Sequence, residues 1–204
     1  MINLLQLKSR SLGWLLYLPM AIFVAMLFFI FGIPNNNVNV VIVLLQLTFI
    51  PLVCIWTLYL FYDLLGTGNF QYMWLYYKTN IEKILIMFFV VLFIPLISLI
   101  IAIEFRFDEF QTLPILMLLF TQCLISAVVS LILFAVFGDV SIPITLIFLY
   151  ISAELATFGS SKYLYHIFFL NLQESLNFTN TISLALLNLL FGLVGYKIFK
   201  LLIT

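Results

Sequence analysis

The chain has 204 residues, 66% of them apolar and only 8% charged, with eight basic residues balancing eight acidic ones. A water-soluble domain carries about 25% charge and alternates apolar with polar residues, so a soluble globular fold is excluded. Zero net charge also leaves no basic tract for nucleic acid. The unbroken apolar runs at 20–31, 84–103 and 142–151 belong in a bilayer, with the backbone polar groups satisfied inside helices.

A span needs about 20 residues to cross roughly 30 Å of hydrocarbon at 1.5 Å per residue. On that scale the chain is predicted to be all-α, a polytopic membrane protein of one domain with six transmembrane helices. Span one covers 12–33 and ends at Pro34-Asn35-Asn36-Asn37, a loop signal. Lys8 and Arg10 precede it as in a signal peptide, but the run is long enough to span and no small-residue cleavage site follows, so it reads as a retained helix. Span two is 40–61, and span three is 84–103, closed by the charged patch from Glu104 to Glu109. Spans four (113–137) and five (142–158) share one long apolar run, broken into a hairpin by Gly138-Asp139 and Pro143, with Asp139 read as a helix cap. Span six is 182–203. Pro19, Pro51, Pro95 and Pro114 are expected to kink or end helices.

Basic residues set the orientation. With the N-terminus inside, Lys8, Arg10, Lys78, Lys83, Lys197 and Lys200 face the cytoplasm, and only Arg106 and Lys162 face out. Both termini are therefore expected in the cytoplasm. Two connections exceed what a hairpin needs. The inner one, 62–83, carries Gly66 and Gly68, then Phe70, Tyr72, Trp74, Tyr76, Tyr77 and Lys78, a mixture suited to the headgroup level. The outer one, 160–180, has Leu164, Ile167, Phe168, Leu172 and Leu176 along one helical stripe, interrupted by Lys162, His166 and Glu174. It reads as a helix lying in or dipping into the outer interface.

Several chemistries lack their residues. There is no GxxxxGK[ST] phosphate loop, no CxxC or HExxH spacing and no GxSxG elbow, and the single histidine, His166, cannot build a zinc site alone. Cys54 and Cys123 read as small buried hydrophobes. No catalytic residue, metal or cofactor is expected. An ionisable group deep in lipid is costly, which makes Glu154 a functional candidate. It lies about 16 Å up its helix from Pro143, in the outer half, where it could also snorkel or pair with a neighbour. Gln46, Gln122, Ser126 and Asn188 are further polar residues within spans, and they either pack helices or line a pathway. Ser126-xxx-Ser130 and Ala21-xxx-Ala25 are small-residue pairs that permit close helix approach.

This layout resembles the membrane-spanning (permease) subunit of a type-2 ATP-binding-cassette (ABC) exporter, and the resemblance covers nearly the whole chain. Its most specific part is Asp63 and Gly66 after span two, then Leu75, Thr79 and Lys83 leading to Ile84-Leu85. These match the acidic residue, glycine, leucine, hydroxyl, basic residue and Ile-Leu pair around the family's cytoplasmic coupling helix. The usual proline before the hydroxyl residue is replaced by Tyr77-Lys78, an early span-three lysine by Met87-Phe88, and the N-terminal amphipathic helix is cut to Ile2–Ser11. The outer segment is similar to the family's re-entrant gate helices.

The resemblance implies a multi-pass protein of the bacterial cytoplasmic membrane with no ATPase site of its own. It would work as a dimer with a second permease copy or a related permease, and with a separate ABC ATPase subunit. Asp63, Gly66, Tyr72, Trp74, Tyr76, Lys78, Glu82 and Lys83 would form or flank the ATPase contact. Gln46, Gln122, Ser126, Glu154 and Asn188 are the candidates for the substrate path. The smallest members of the family resemble peptide and bacteriocin-immunity exporters, implying an amphipathic or lipid-like cargo. The alternative is the substrate-capture membrane subunit of a vitamin importer, with Ala21 and Ala25 as its packing face.

Overall fold

An apolar chain in hydrocarbon has to satisfy its own backbone, and a helix does so within one segment. The computed structural model describes residues 13–32, 38–65, 81–107, 112–157 and 178–202. A 3-10 turn, Gly13–Tyr17, leads into α1 (Leu18–Gly32). The remaining helices are α2 (Val38–Leu65), α3 (Ile81–Arg106), α4 (Thr112–Phe137), α5 (Ser141–Thr157) and α6 (Phe178–Leu202). No strand occurs among the described residues. Four helices, α2, α3, α4 and α6, are long and apolar enough to cross a membrane. With 15 and 17 residues, α1 and α5 are apolar but shorter, so four of the six predicted spans have a helix of crossing length.

The prolines interrupt less than their reputation suggests. Pro19, Pro114 and Pro143 fall in the first turns of α1, α4 and α5, where the missing N–H has no helical partner to lose. Pro51 and Pro95 lie inside α2 and α3, and both helices run through them.

α4 occupies the centre. It packs most extensively on α6 and α2 and also touches α5 and α3, while α1 lies against α3 and α2. The relative directions follow from the contacts. Gln46 meets Gln122 and Ile50 meets Ser126 across α2 and α4, both at a separation of 76 residues, so these two helices run parallel. Tyr62 and Phe134 stack farther along at 6.3 Å. α6 also runs parallel to α4, because Gly192 lies against Leu124 and Gly195 against Val128. α5 returns antiparallel through a tight turn.

That turn is chemically specified. Gly138 adopts φ +70°, a left-handed conformation that favours glycine, and its N–H donates to Phe134 C=O at 2.8 Å to end α4. Asp139 then starts α5 by accepting from Ser141 N–H at 2.8 Å and from Ser141 Oγ–H at 2.9 Å, the capping role expected of it. We call this the turn end of the bundle. It also holds the last turns of α2 and α6 and the first turn of α3.

Phe49, Phe61, Phe134 and Phe199 are fully buried in the core, while Phe28, Phe105, Leu113, Leu190 and Leu201 are exposed. This outward apolar surface is what a lipid solvent tolerates. Cys54 and Cys123 are free and buried, in keeping with their reading as small hydrophobes. Ala21 and Ala25 are exposed on α1, so that pair packs against no helix among the described residues. The closest approach is instead on α6, where buried Thr181, Ala185, Asn188, Gly192 and Phe199 recur at alternating helical spacing. A Cβ on Gly192 would stand 2.0 Å from Leu124 Cδ2, and one on Gly195 2.8 Å from Val128 Cγ1.

Two outcomes follow. Gly192→Ala meets only the end of a flexible leucine and gains helix propensity of about 1 kcal/mol, so it should leave stability nearly unchanged. Gly192→Leu should destabilise by about 1–3 kcal/mol through overpacking, read from unfolding in mixed micelles. At the turn, the bonds from the Ser141 N–H and hydroxyl hold the Asp139 carboxyl below its ordinary value. Its stabilising effect is therefore present above the unfolded-state value and is lost as pH falls through the lowered one. The unfolding midpoint of the wild type should drop over that acid range relative to Asp139→Asn, whose side chain does not titrate.

Candidate functional site

Polar side chains in an apolar bundle gather where they can bond one another. On α4, Gln122, Ser126 and Ser130 follow at steps of four residues, one helical face, and all three are buried. That face meets α2. Gln46 Nε2 donates to Gln122 Oε1 at 3.3 Å, and Ser126 Oγ donates to the carbonyl of Ile50 at 3.2 Å. Ser130 lies against Cys54 one turn on. The result is a ladder of three rungs, and its small serines let α2 and α4 approach closely, as expected of the Ser126-xxx-Ser130 pair.

The packing carries this polar level across two more helices. The register that sets Gly192 against Leu124 and Gly195 against Val128 places Asn188 at the level of Phe120 and Thr121. Across the α4–α5 hairpin, Glu154 and Leu124 are equidistant from Asp139. Gln46, Gln122, Asn188 and Glu154, one each on α2, α4, α6 and α5, therefore lie within about one helical turn of the same level. All four are 0% exposed. Gln122 is about 15 Å along a helix of about 39 Å, so the layer sits near the middle of the bundle.

Within the layer, Tyr150 O–H donates to Glu154 Oε1 at 2.5 Å, one turn back on α5. The carboxylate does not reach the surface of the chain. By the hairpin register it lies level with Leu124, near the middle of α4. Just toward the turn end is a cavity of about 210 Å³ lined by Ile50, Ser126, Ile147 and Tyr150. Gln46 Oε1 is buried with no hydrogen-bond partner among the described residues. The layer thus combines a carboxylate with an acceptor still able to take a donor. It has no metal-binding cluster among the described residues.

All five residues expected along a substrate path are therefore buried, and four share one level with Ser126 one turn away. The expected ATPase contact is only partly visible. Gly66, Tyr72, Trp74, Tyr76 and Lys78 lie outside the described residues, as does the expected outer segment at 160–176. Asp63 falls in the last turn of α2, with its side chain outside the described atoms. Glu82 and Lys83 open α3 and are exposed. Glu82 pairs with Lys200 of α6, whose ammonium also lies 5.2 Å from the Tyr196 ring centroid. Tyr196 O–H donates to Glu82 at 3.4 Å. Sequence reading missed this cluster and the Gly192–Gly195 seam. The alternating spacing of Ala185, Asn188, Gly192 and Gly195 is the signal that marks the seam.

The described chain is thus an all-helical protein with four helices suited to a membrane and a buried polar layer across its middle. Comparison with protein-family models, curated proteins and solved structures finds no match.

The rung between α2 and α4 should behave as a coupled pair. Gln122→Leu alone removes the acceptor of Gln46 Nε2 and should destabilise by about 1–3 kcal/mol. Adding Gln46→Leu should recover most of that loss, measured as a double-mutant cycle of unfolding in mixed micelles.

Proposed function

We propose that the chain is the permease half of an ATP-driven exporter moving an amphipathic or hydrophobic cargo, peptide or lipid-like, across a bacterial cytoplasmic membrane. The observation that carries this reading is the polar layer. Glu154 is an ionisable group buried at mid-bundle, the kind of residue that marks a substrate path in a membrane protein, and polar side chains of three other helices share its level. In the closed arrangement Gln46 Nε2 donates to Gln122 Oε1, while Gln46 Oε1 can still take a donor. When α2 and α4 part, those amides and Glu154 would meet the N–H and amine donors of a peptide-like cargo.

The turn end is the cytoplasmic end in this proposal. It gathers Lys83, Lys197 and Lys200, as the excess of basic residues in cytoplasmic segments requires. The aromatic and basic stretch between Leu65 and Ile81 joins two helices at that end, where a separate ATPase subunit could grip it. Six passes, both termini inside, and a second permease copy complete the reading. ATP binding on the partner would bias a two-state packing between closed and inward-open arrangements. The exposed Ala21 and Ala25 suit a close helix contact with another subunit. They leave the vitamin-importer reading as the alternative, with a large scaffold protein as the partner.

The test is affinity purification of the tagged full chain from its own membranes, followed by mass spectrometry. An ABC ATPase should co-purify with the wild type and with Glu154→Gln, and should be lost from Lys78→Glu/Lys83→Glu. If no ATPase accompanies the wild type, or if the charge reversals keep it, the exporter reading fails. A large membrane scaffold in its place would select the importer.

A further inference from the structure

The bundle has a second feature, on a face the polar layer does not use. α3 and α6 flank α4 but share no extended contact with each other. Between them runs a groove of about 570 Å³, within the range of about 300–1,000 Å³ usual for small-molecule sites. Leu124 and Val128 of α4 form its floor, and Val90, Ile97 and Leu193 stand on its walls. Those three wall residues are 54%, 40% and 55% exposed, so the groove opens sideways along the bundle. On α3 it extends from Glu82 to Ile97, about 22 Å at 1.5 Å per residue.

Its polarity is confined to one end. Glu82 and Tyr196 line the groove there, and Lys200 closes that end by pairing with Glu82. Glu82 is the second residue of α3 and Lys200 lies in the last turn of α6, where helices leave the hydrocarbon. From that end the apolar channel runs past the middle of the bundle. One leaflet of a bilayer is about 15 Å of hydrocarbon deep, so the groove is long enough to take an acyl chain through the whole depth of one leaflet and a little beyond.

We propose that this groove binds one acyl chain of a zwitterionic glycerophospholipid, with the headgroup held at the Glu82–Lys200 pair. The phosphate would sit on the Lys200 ammonium and the Tyr196 hydroxyl, and the headgroup amine on the Glu82 carboxylate. A cation and an anion side by side at the mouth complement a headgroup carrying both charges. A purely anionic or purely cationic amphiphile would leave one of them opposed. Within lipid no hydrophobic force favours the groove over the bulk bilayer, so selection rests on this headgroup pairing. The proposal stands on the groove alone and does not depend on the exporter reading.

The experiment reconstitutes the full chain in vesicles of equal phosphatidylethanolamine and phosphatidylglycerol, releases it into mild detergent and weighs it by native mass spectrometry. The wild type should retain one phosphatidylethanolamine per chain. The ion pair is more than half exposed on both sides, so breaking it should leave the fold intact. Lys200→Met should nonetheless reduce retention about tenfold, the worth of a charge-assisted hydrogen bond. Val90→Trp/Leu193→Trp, which fills the groove from exposed positions, should also abolish retention, while both variants keep the wild-type helical circular dichroism. Equal retention of the two lipids, or retention unchanged in either variant, overturns the proposal. So does a dimer without bound lipid, which would give the groove to a second copy of the chain.

Discussion

In hydrocarbon a side-chain amide finds no water, so its bonding must come from another part of the protein, and the helices have to be arranged to provide it. The contact between Gln46 and Gln122 expresses that constraint in this fold. It fixes α2 and α4 side by side, pointing the same way, and the Ser126 and Ser130 rungs repeat the same offset down the pair. Each such bond is worth only about 1 kcal/mol. Their weight comes from exclusion, since any slip of α2 along α4 would strand several polar groups at once. α6 then adds its flat, glycine-bearing side against the remaining face of α4, where contact is set by backbone approach.

The two kinds of helix contact divide the labour. Between α2 and α4 the polar rungs choose the register, and large rings such as Phe49, Phe61 and Phe134 fill the space around them. Between α4 and α6 shape does the choosing, because only residues without bulk fit beneath Leu124 and Val128. Between α3 and α6 neither device operates along most of their length. What remains there is a gap bridged at one end by an exposed ion pair, and that pair contributes little to holding the helices together. The same bundle is therefore tightly specified on two sides of α4 and open on a third.

Much of this was legible in the sequence, for reasons that are local. Long apolar runs give helices, so each of the six segments foreseen contains one. Gly138 and Asp139 mark a turn by their own backbone and side-chain preferences, and the structure bears out the cap. The polar residues singled out within the spans are all buried, and the fold buries Thr57, Thr121 and Thr181 besides. Distances along the chain could not reveal which helices lie parallel, because register depends on partners far away in sequence. For the same reason the level that Glu154 shares with the other polar residues could not be read, since α4 sets it. The reach of Lys200 to Glu82 could not be read at all, since nothing near either residue names the other. Pro51 and Pro95 do not end their helices, as expected where neighbouring helices hold the chain in place.

The parallel pairing of α2 with α4 also has a consequence in time. The two glutamines are 76 residues apart, and a ribosome adds about 5–20 residues per second. Gln46 is therefore synthesised some 4–15 seconds before its partner. Until Gln122 follows it, Gln46 has no partner on α4, and α3 is made before α4 is. Biogenesis of this chain passes through a stage in which its most selective contact is still half made, and an insertase that shelters α2 would serve it best at that moment.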